Sequence, residues 1–363
     1  MKNRIAVTGW HESRFSEENA AQSTPEMIFE ASHGALRRAG LTREDIDTVV
    51  VGSCDTADGI SISNVYSVGA SGAFLKDESK IEADGSFALY YAVLRLLSGS
   101  FNTALVVSWG KGSNFSRFHY WTMQWEPFYT RPLGLSHEEI LALQARAFCR
   151  RTGFEDKHAE EVLMKNLGNA EANGNAVRTL RGIQCGARGE MAAEPLRDGD
   201  LTPRTDGACA VVLENADRAS RKKRIPISGF GLSTSTYFPF WRDLSRIASA
   251  GEASSIALKS AGWAIDDVDF FEVVERTPYH EAMLAEAMGV GLKDYLGGEM
   301  KRINLSGGAL GADPEPATGL VRVVQAAKII AGDCEKTANR VLTLGTSGLG
   351  YQTCIAFALG EAQ

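Results

Sequence analysis

ALRRAGLTREDIDTVVV at residues 35–51 returns as ALKSAGWAIDDVDFFEV at residues 257–273, a constant offset of 222 positions. Leu36/Leu258, Gly40/Gly262, Asp45/Asp267 and Asp47/Asp269 coincide. In both copies a helix-periodic stretch stops at glycine, a turn carries aspartate, and an apolar run follows that reads as a buried strand. The same element order continues outward from each copy. Strand-like RIAVTGW, SKIEADG and TALVVSWG flank the first. PISGFGLST, RINLSGG and RVLTLGTSG flank the second, followed by TCIAFALGE. Helical segments ALYYAVLRLLSG and GLVRVVQAAKIIAG alternate with them. Short apolar strands alternating with helices of 3.6-residue period define βαβ units and a largely parallel sheet. The chain therefore reads as an α/β protein built by duplication.

One segment, about residues 111–204, breaks the pattern. It opens on the aromatic tract FSRFHYWTMQWEPFY and continues into the helical LSHEEILALQARAFCRRTG and DKHAEEVLMKNLGNAEANG. It reads as an insertion in the first half. This gives an N-terminal half at 1–224, containing the insertion, and a C-terminal half at 225–363. Insertions in such folds commonly carry function. The tract is expected either to cover the site or to contact another subunit.

The 363 residues are 44% hydrophobic and 23% charged, with a net charge of −7. That composition suits a soluble globular protein and argues against nonspecific nucleic-acid binding, which needs basic surface. No run of 18 apolar residues appears and the N-terminus lacks a signal-peptide core, so a cytoplasmic protein without a membrane span is expected. The six cysteines (Cys54, Cys149, Cys185, Cys209, Cys334, Cys354) are scattered, with no paired spacing. They are expected to be small core residues rather than disulfides, metal ligands or reactive thiols.

The duplicated halves, the insertion phrases GLSHEEILALQARAF and KNLGNAEANG, TDGACAVVLE, and NLSGGALG together resemble the thiolase superfamily, nearest its sterol-carrier or lipid-transfer type. The resemblance covers nearly the whole chain in order. It implies five layers, αβαβα, with an inserted loop domain. It also implies a nucleophilic cysteine at a helix start, where backbone amides favour the thiolate. Here that phrase is IEADGSFALYYAVLRLLSG, and Asp84 stands at the thiol position, or Gly85 or Ser86 with a shifted gap. Val274 and Glu275 align with the family's His-Asp or Asn-Glu pair, Asp313 in GADPEPATG with its histidine, and Gly345 with its second cysteine. Four catalytic positions thus differ together.

Asp84, Glu275 and Asp313 come from three segments that such a fold brings toward one cavity, where carboxylates could act as general acid or base. The competing reading is drift in a dead pocket, and Asp313 could simply cap the following helix. His280 precedes the helix EAMLAEAMG and is either a catalytic group or a surface capping residue. Tyr279 and Tyr351 are candidates by resemblance to thiolase-derived aldolases. The resemblance also makes Ser86, Asn304, Gly307, Gly308, Ser347, Gly348 and Tyr351 candidates for contact with a coenzyme A thioester, which would be substrate; no resident cofactor is expected. GTSGLG at 345–350 lacks the spacing of a dinucleotide motif and reads as a tight turn.

Two functions remain open. One is carbon–carbon bond cleavage or formation on an acyl-CoA without a cysteine nucleophile. The other is a non-catalytic subunit of an active thiolase. A homodimer or a heterodimer with a thiolase-like partner is expected, through TALVVSWG or SKIEADG as the edge strand. The resemblance adds a possible small zinc-ribbon and OB-fold partner.

Overall fold

A computed structural model describes residues 5–182, 188–215 and 224–361. Cys185 lies outside the described residues. Nine strands form the main sheet: β1 (Ile5–Glu12), β2 (Thr48–Ser53), β3 (Asp77–Glu82), β4 (Thr103–Lys111), β5 (Asp206–Asn215), β6 (Ile225–Thr234), β7 (Phe270–Val273), β8 (Arg340–Ser347) and β9 (Thr353–Gly360). Their spatial order is β3-β2-β4-β5-β1-β6-β9-β8-β7. The first five belong to one half and the last four to the other. Only Ala6↔Pro226 and Val7↔Ile225 join the two halves, so the sheet is continuous through a narrow corner.

The helices used below are α1 (Thr24–Ala39), α2 (Gly85–Leu97), α3 (Arg117–Met123), α4 (His137–Thr152), α5 (Asp156–Ala170), α6 (Ala248–Ala261), α7 (Pro278–Met288) and α8 (Thr318–Ala331). α1 covers the outer face of the first half-sheet through Met27, Ile28, Ala31 and Ala35. α2 and α8 lie between the halves, where Leu89, Val93, Leu320 and Val324 pack with Val106, Val211, Ile355 and Phe357. α6 and α7 cover the outer face of the second half-sheet together with the loop-domain helices. This gives the five layers that the resemblance implies.

The internal repeat is visible in the hydrogen bonds. α1 stops at Gly40 with φ 61°, and α6 stops at Gly262 with φ 73°, both left-handed. Asp45 accepts from the Thr42 amide and Asp267 from the Ala264 amide, each at 2.8 Å. Asp47 ties down the amides of Asn102 and Thr103, where β4 begins. Asp269 does the same for Asn339 and Arg340, where β8 begins. Asp47→Ala and Asp269→Ala are each expected to cost about 1 kcal/mol, and the double variant about their sum. Thermal denaturation of the four proteins checks this. A strongly non-additive double variant would deny that the two halves use the device independently.

Three expectations are corrected. The main sheet is not largely parallel: five of its eight strand pairings are antiparallel, because β5, β6 and β9 return against their neighbours. TALVVSWG is not an edge: β4 is flanked by β2 and β5, and SKIEADG, as β3, is the edge strand. RINLSGG is not a strand and makes only the bridge Phe271↔Ile303. Asn304 turns to φ 54°, and its side-chain oxygen takes the Val273 amide at 2.8 Å. A side chain thus ends the ladder that a further strand would have continued.

Candidate active site

Asp84 is the N-cap of α2. One oxygen accepts from the Ser86 amide at 2.8 Å and the Ser86 hydroxyl at 2.5 Å, and the other from the Gly319 amide at 2.8 Å. One carboxylate therefore closes the starts of two helices, α2 and α8. A Cβ at Gly319 would lie 2.0 Å from Asp84 Oδ1, and one at Gly345 2.0 Å from Ser86 Oγ, so both glycines are required by close approach. Burial pushes the Asp84 carboxyl up to about 6, against the hydrogen bonds from Ser86 and Gly319.

Asp313 does not cap α8 through its backbone. It accepts the Thr318 hydroxyl at 2.5 Å, the Thr202 hydroxyl at 2.5 Å, and the guanidinium groups of Arg276 (2.8 and 2.9 Å) and Arg117 (2.9 Å). Arg276 also holds Glu315 at 2.8 Å. Burial alone would raise Asp313, but the two arginines and two hydroxyls more than offset it and hold the carboxyl low. Glu315, with burial dominant and Asp313 adding to it, is pushed up to about 7. Its Oε2 has no hydrogen-bond partner among the described residues. The Arg276 amide donates to the Tyr351 hydroxyl at 2.7 Å.

Glu275 belongs to a different network. It accepts from the Leu310 amide at 2.9 Å and the Asn304 side chain at 2.7 Å, and Asn304 is shared with Glu281. Glu281 is further held by Lys165, Asn166 and Tyr295. Burial and the neighbouring Glu281 push Glu275 up to about 8. The three acids singled out in the sequence therefore do not share an open cavity. Successive residues of an extended stretch face opposite sides, so Arg276 rather than Glu275 meets Asp313, while Asp84 and Asp313 approach through Thr318 and Gly319.

His280 is buried, not a surface cap. Its Nδ1 pairs with Thr277 Oγ1 at 2.7 Å, its ring stacks on Tyr351 at 5.0 Å, and its Nε2 is without a partner. Burial and Arg276 lower it to about 3, so the imidazole is neutral at ordinary pH. Tyr279 faces elsewhere, donating to Asp156 at 2.9 Å. Ser86, Asn304, Gly307 and Gly308 are buried in the networks just described, and a Cβ at Gly308 would strike Glu275 at 2.1 Å. Ser347 and Gly348 form the β8–β9 turn. Its carbonyls at Leu349 and Gly350 accept from Arg242, and Gly350 also from Gln144. The GTSGLG segment thus docks the C-terminal hairpin against α4.

The space left at the site is a narrow recess of about 10 Å³ lined by Arg117, Trp121, His137, Thr202, Arg276 and Glu315, among others. Trp121, from the aromatic tract, lies 5.7 Å from the Arg276 guanidinium and forms part of that lining. Arg117, Trp121, His137, Arg276 and Glu315 were not singled out in the sequence. Glu315 stood in view within DPEP, whereas the arginines carried no signal. Among the described residues every cysteine thiol is raised, first by burial: Cys54, Cys149 and Cys354 to about 11, Cys209 and Cys334 also upward. No described cluster of His, Cys, Asp and Glu is placed to hold a metal ion, and no described helix is long and apolar enough to cross a membrane.

No family model matches the chain. It is 26% identical over 299 residues to an acetyl-CoA acetyltransferase of Methanothermobacter thermautotrophicus, covering 78% of this chain and 77% of that one. In structure it matches the Ltp2-ChsH2(DUF35) aldolase with a TM-score of 0.85 at 19% identity, over 100% of this chain and 99% of that one. A monomeric SCP2-thiolase-like protein type 1 from Mycobacterium smegmatis matches with a TM-score of 0.74 at 14% identity, over 99% of this chain and 77% of that one. In sequence the chain is similar to thiolase-superfamily enzymes, and its fold is that of the thiolase-like proteins.

Proposed function

We propose that this chain is the thiolase-like subunit of an acyl-CoA carbon–carbon lyase that works without a cysteine nucleophile, retro-aldol cleavage being the favoured direction. The observation that carries the reading is the pairing of raised thiols with a buried acid–base cluster at the thiolase position. A thiol near 11 is almost wholly protonated at neutral pH and a poor nucleophile. Glu315 near 7 is poised to exchange a proton in that range, while the buried His280 stays neutral through it. The named relatives handle acyl-CoA chemistry, and the aldolase match supports cleavage beside a small partner subunit.

The test is incubation of the chain, with any copurifying subunit, with β-hydroxyacyl-CoA and β-ketoacyl-CoA thioesters. Release of a shortened acyl-CoA and a carbonyl product is expected, and no product from either class sinks the proposal. Iodoacetamide treatment is expected to leave the turnover intact; inactivation that tracks a modified cysteine would reinstate thiol catalysis.

A second reading, a non-catalytic subunit of an active thiolase, is favoured by one observation: Asp84 and Asp313 are saturated by protein donors, and the recess beside Arg276 and Glu315 is only about 10 Å³. Full activity of a complex assembled without this chain would remove its obligatory role. Under either reading the assembly uses the edge strand β3, with a second copy or a thiolase-like partner, and a zinc-ribbon and OB-fold subunit adds to it.

A further inference from the structure

We propose that His137 is a proton-transfer residue of the buried site, acting on the hydroxyl of a β-hydroxyacyl thioester; the inference rests on the lyase reading above. His137 opens α4 behind the cap Ser136, whose amide is held by Glu139 at 2.6 Å. Its ring lies flat on Trp121, 3.7 Å between centroids and 3° between planes. The residue is only 6% exposed, and neither ring nitrogen has a hydrogen-bond partner among the described residues. Buried polar groups are nearly always paired, so an imidazole with both nitrogens unmet calls for a reason.

Packing does not supply one. A phenyl ring would stack on Trp121 equally well and bring no donor or acceptor to satisfy. The imidazole is therefore kept at a cost to stability, the pattern found where a side chain is retained for function. It also lines the same recess as Arg276 and Glu315, whose Oε2 accepts no hydrogen bond among the described residues. A space of about 10 Å³ admits one oxygen atom rather than an acyl chain. An oxygen at the end of a substrate fits it, and a hydroxyl is the one that carries a proton for a neutral imidazole to take up.

The charges facing the ring come from every side: Arg117 on α3, Arg276 after β7, Glu315 before α8, Glu138 on its own helix, and His280 on α7. Burial first, then Arg276, Arg117 and His280, keep His137 well below its usual pKa, so the ring rests neutral and passes on a proton it takes rather than holding it. In the step, the β-hydroxyl proton passes to a ring nitrogen as the Cα–Cβ bond breaks. The electron pair of that bond goes to Cα and the thioester carbonyl, and a carbonyl forms at Cβ. The proton then returns to Cα. One β-hydroxyacyl thioester gives one aldehyde or ketone and one shortened acyl thioester, with no oxidant or further reactant.

The experiment compares wild type, His137→Phe and His137→Gln, each with any copurifying subunit, using β-hydroxybutyryl-CoA as probe. Both variants are expected to lose roughly 100-fold or more in kcat with KM nearly unchanged, and His137→Phe to melt at a higher temperature than wild type. Retained kcat, or a lowered melting temperature for His137→Phe, overturns the inference. If wild type turns over no thioester, the lyase reading fails on its own account. His137 is then judged by the ring ¹⁵N resonance on adding the same thioester: a shift absent from His137→Gln supports it, and no shift overturns it.

Discussion

Arg276→Ala is expected to destabilise the protein by about 3–5 kcal/mol, the range for removing one partner of a buried ion pair. Arg276 is 6% exposed and is the shared counter-charge of Asp313 and Glu315, themselves 1% and 3% exposed. Without it Asp313 keeps Arg117, but Glu315 is left with only the Arg117 Nε, 3.9 Å away. The cost is less the lost attraction than the carboxylate left in a dry interior. Placing Arg276→Met together with Asp313→Asn and Glu315→Gln removes the stranded charges and is expected to recover much of the loss. Urea denaturation of the two proteins separates these terms. A single variant within about 1 kcal/mol of wild type would mean that water reaches the cluster freely.

The second large effect is on the pH dependence of stability. Glu275 titrates near 8 in the folded chain because it is buried beside Glu281, against an ordinary value of 4.5. Between those values the folded state binds a proton that the unfolded state has released. Stability therefore falls as pH rises through that window, at up to about 1.4 kcal/mol per pH unit, and levels off above it. Glu315 near 7 and Asp84 near 6 act with the same sign over lower windows. Glu275→Gln removes the titration and keeps the hydrogen bond from the Leu310 amide, but turns an NH2 toward the Asn304 NH2, a cost that does not vary with pH. Its melting temperature relative to wild type is therefore expected to rise between pH 5 and pH 8.5. Parallel melting curves across that range would count against the raised acid.

Much of the architecture could be read from 35–51 against 257–273, because that repeat is local. Gly40 and Gly262 stop helices by their own backbone freedom, and Asp45 and Asp267 close turns three residues long. The edge strand was harder. β4 carries the same apolar run whether one neighbour or two lie beside it, and only the return of β5 from beyond the insertion settles the question. The site was legible in its acids and not in its bases. Asp84 and Asp313 stand at positions marked by glycines and prolines, whereas Arg117 reaches Asp313 across 196 residues of chain. Glu275 and Arg276 are adjacent, and which of them faces the cluster depends on the side to which each peptide turns.

Asp84 serves two helices at once, and that constrains how the chain can change by descent. A thiol at position 84 would gain the favourable amides at the start of α2. It would also withdraw the oxygens that receive the Ser86 and Gly319 amides, and α8 would begin with a buried donor unmet. A cysteine here must therefore arrive together with a new acceptor for α8, so a single substitution at position 84 leads first through a less stable protein.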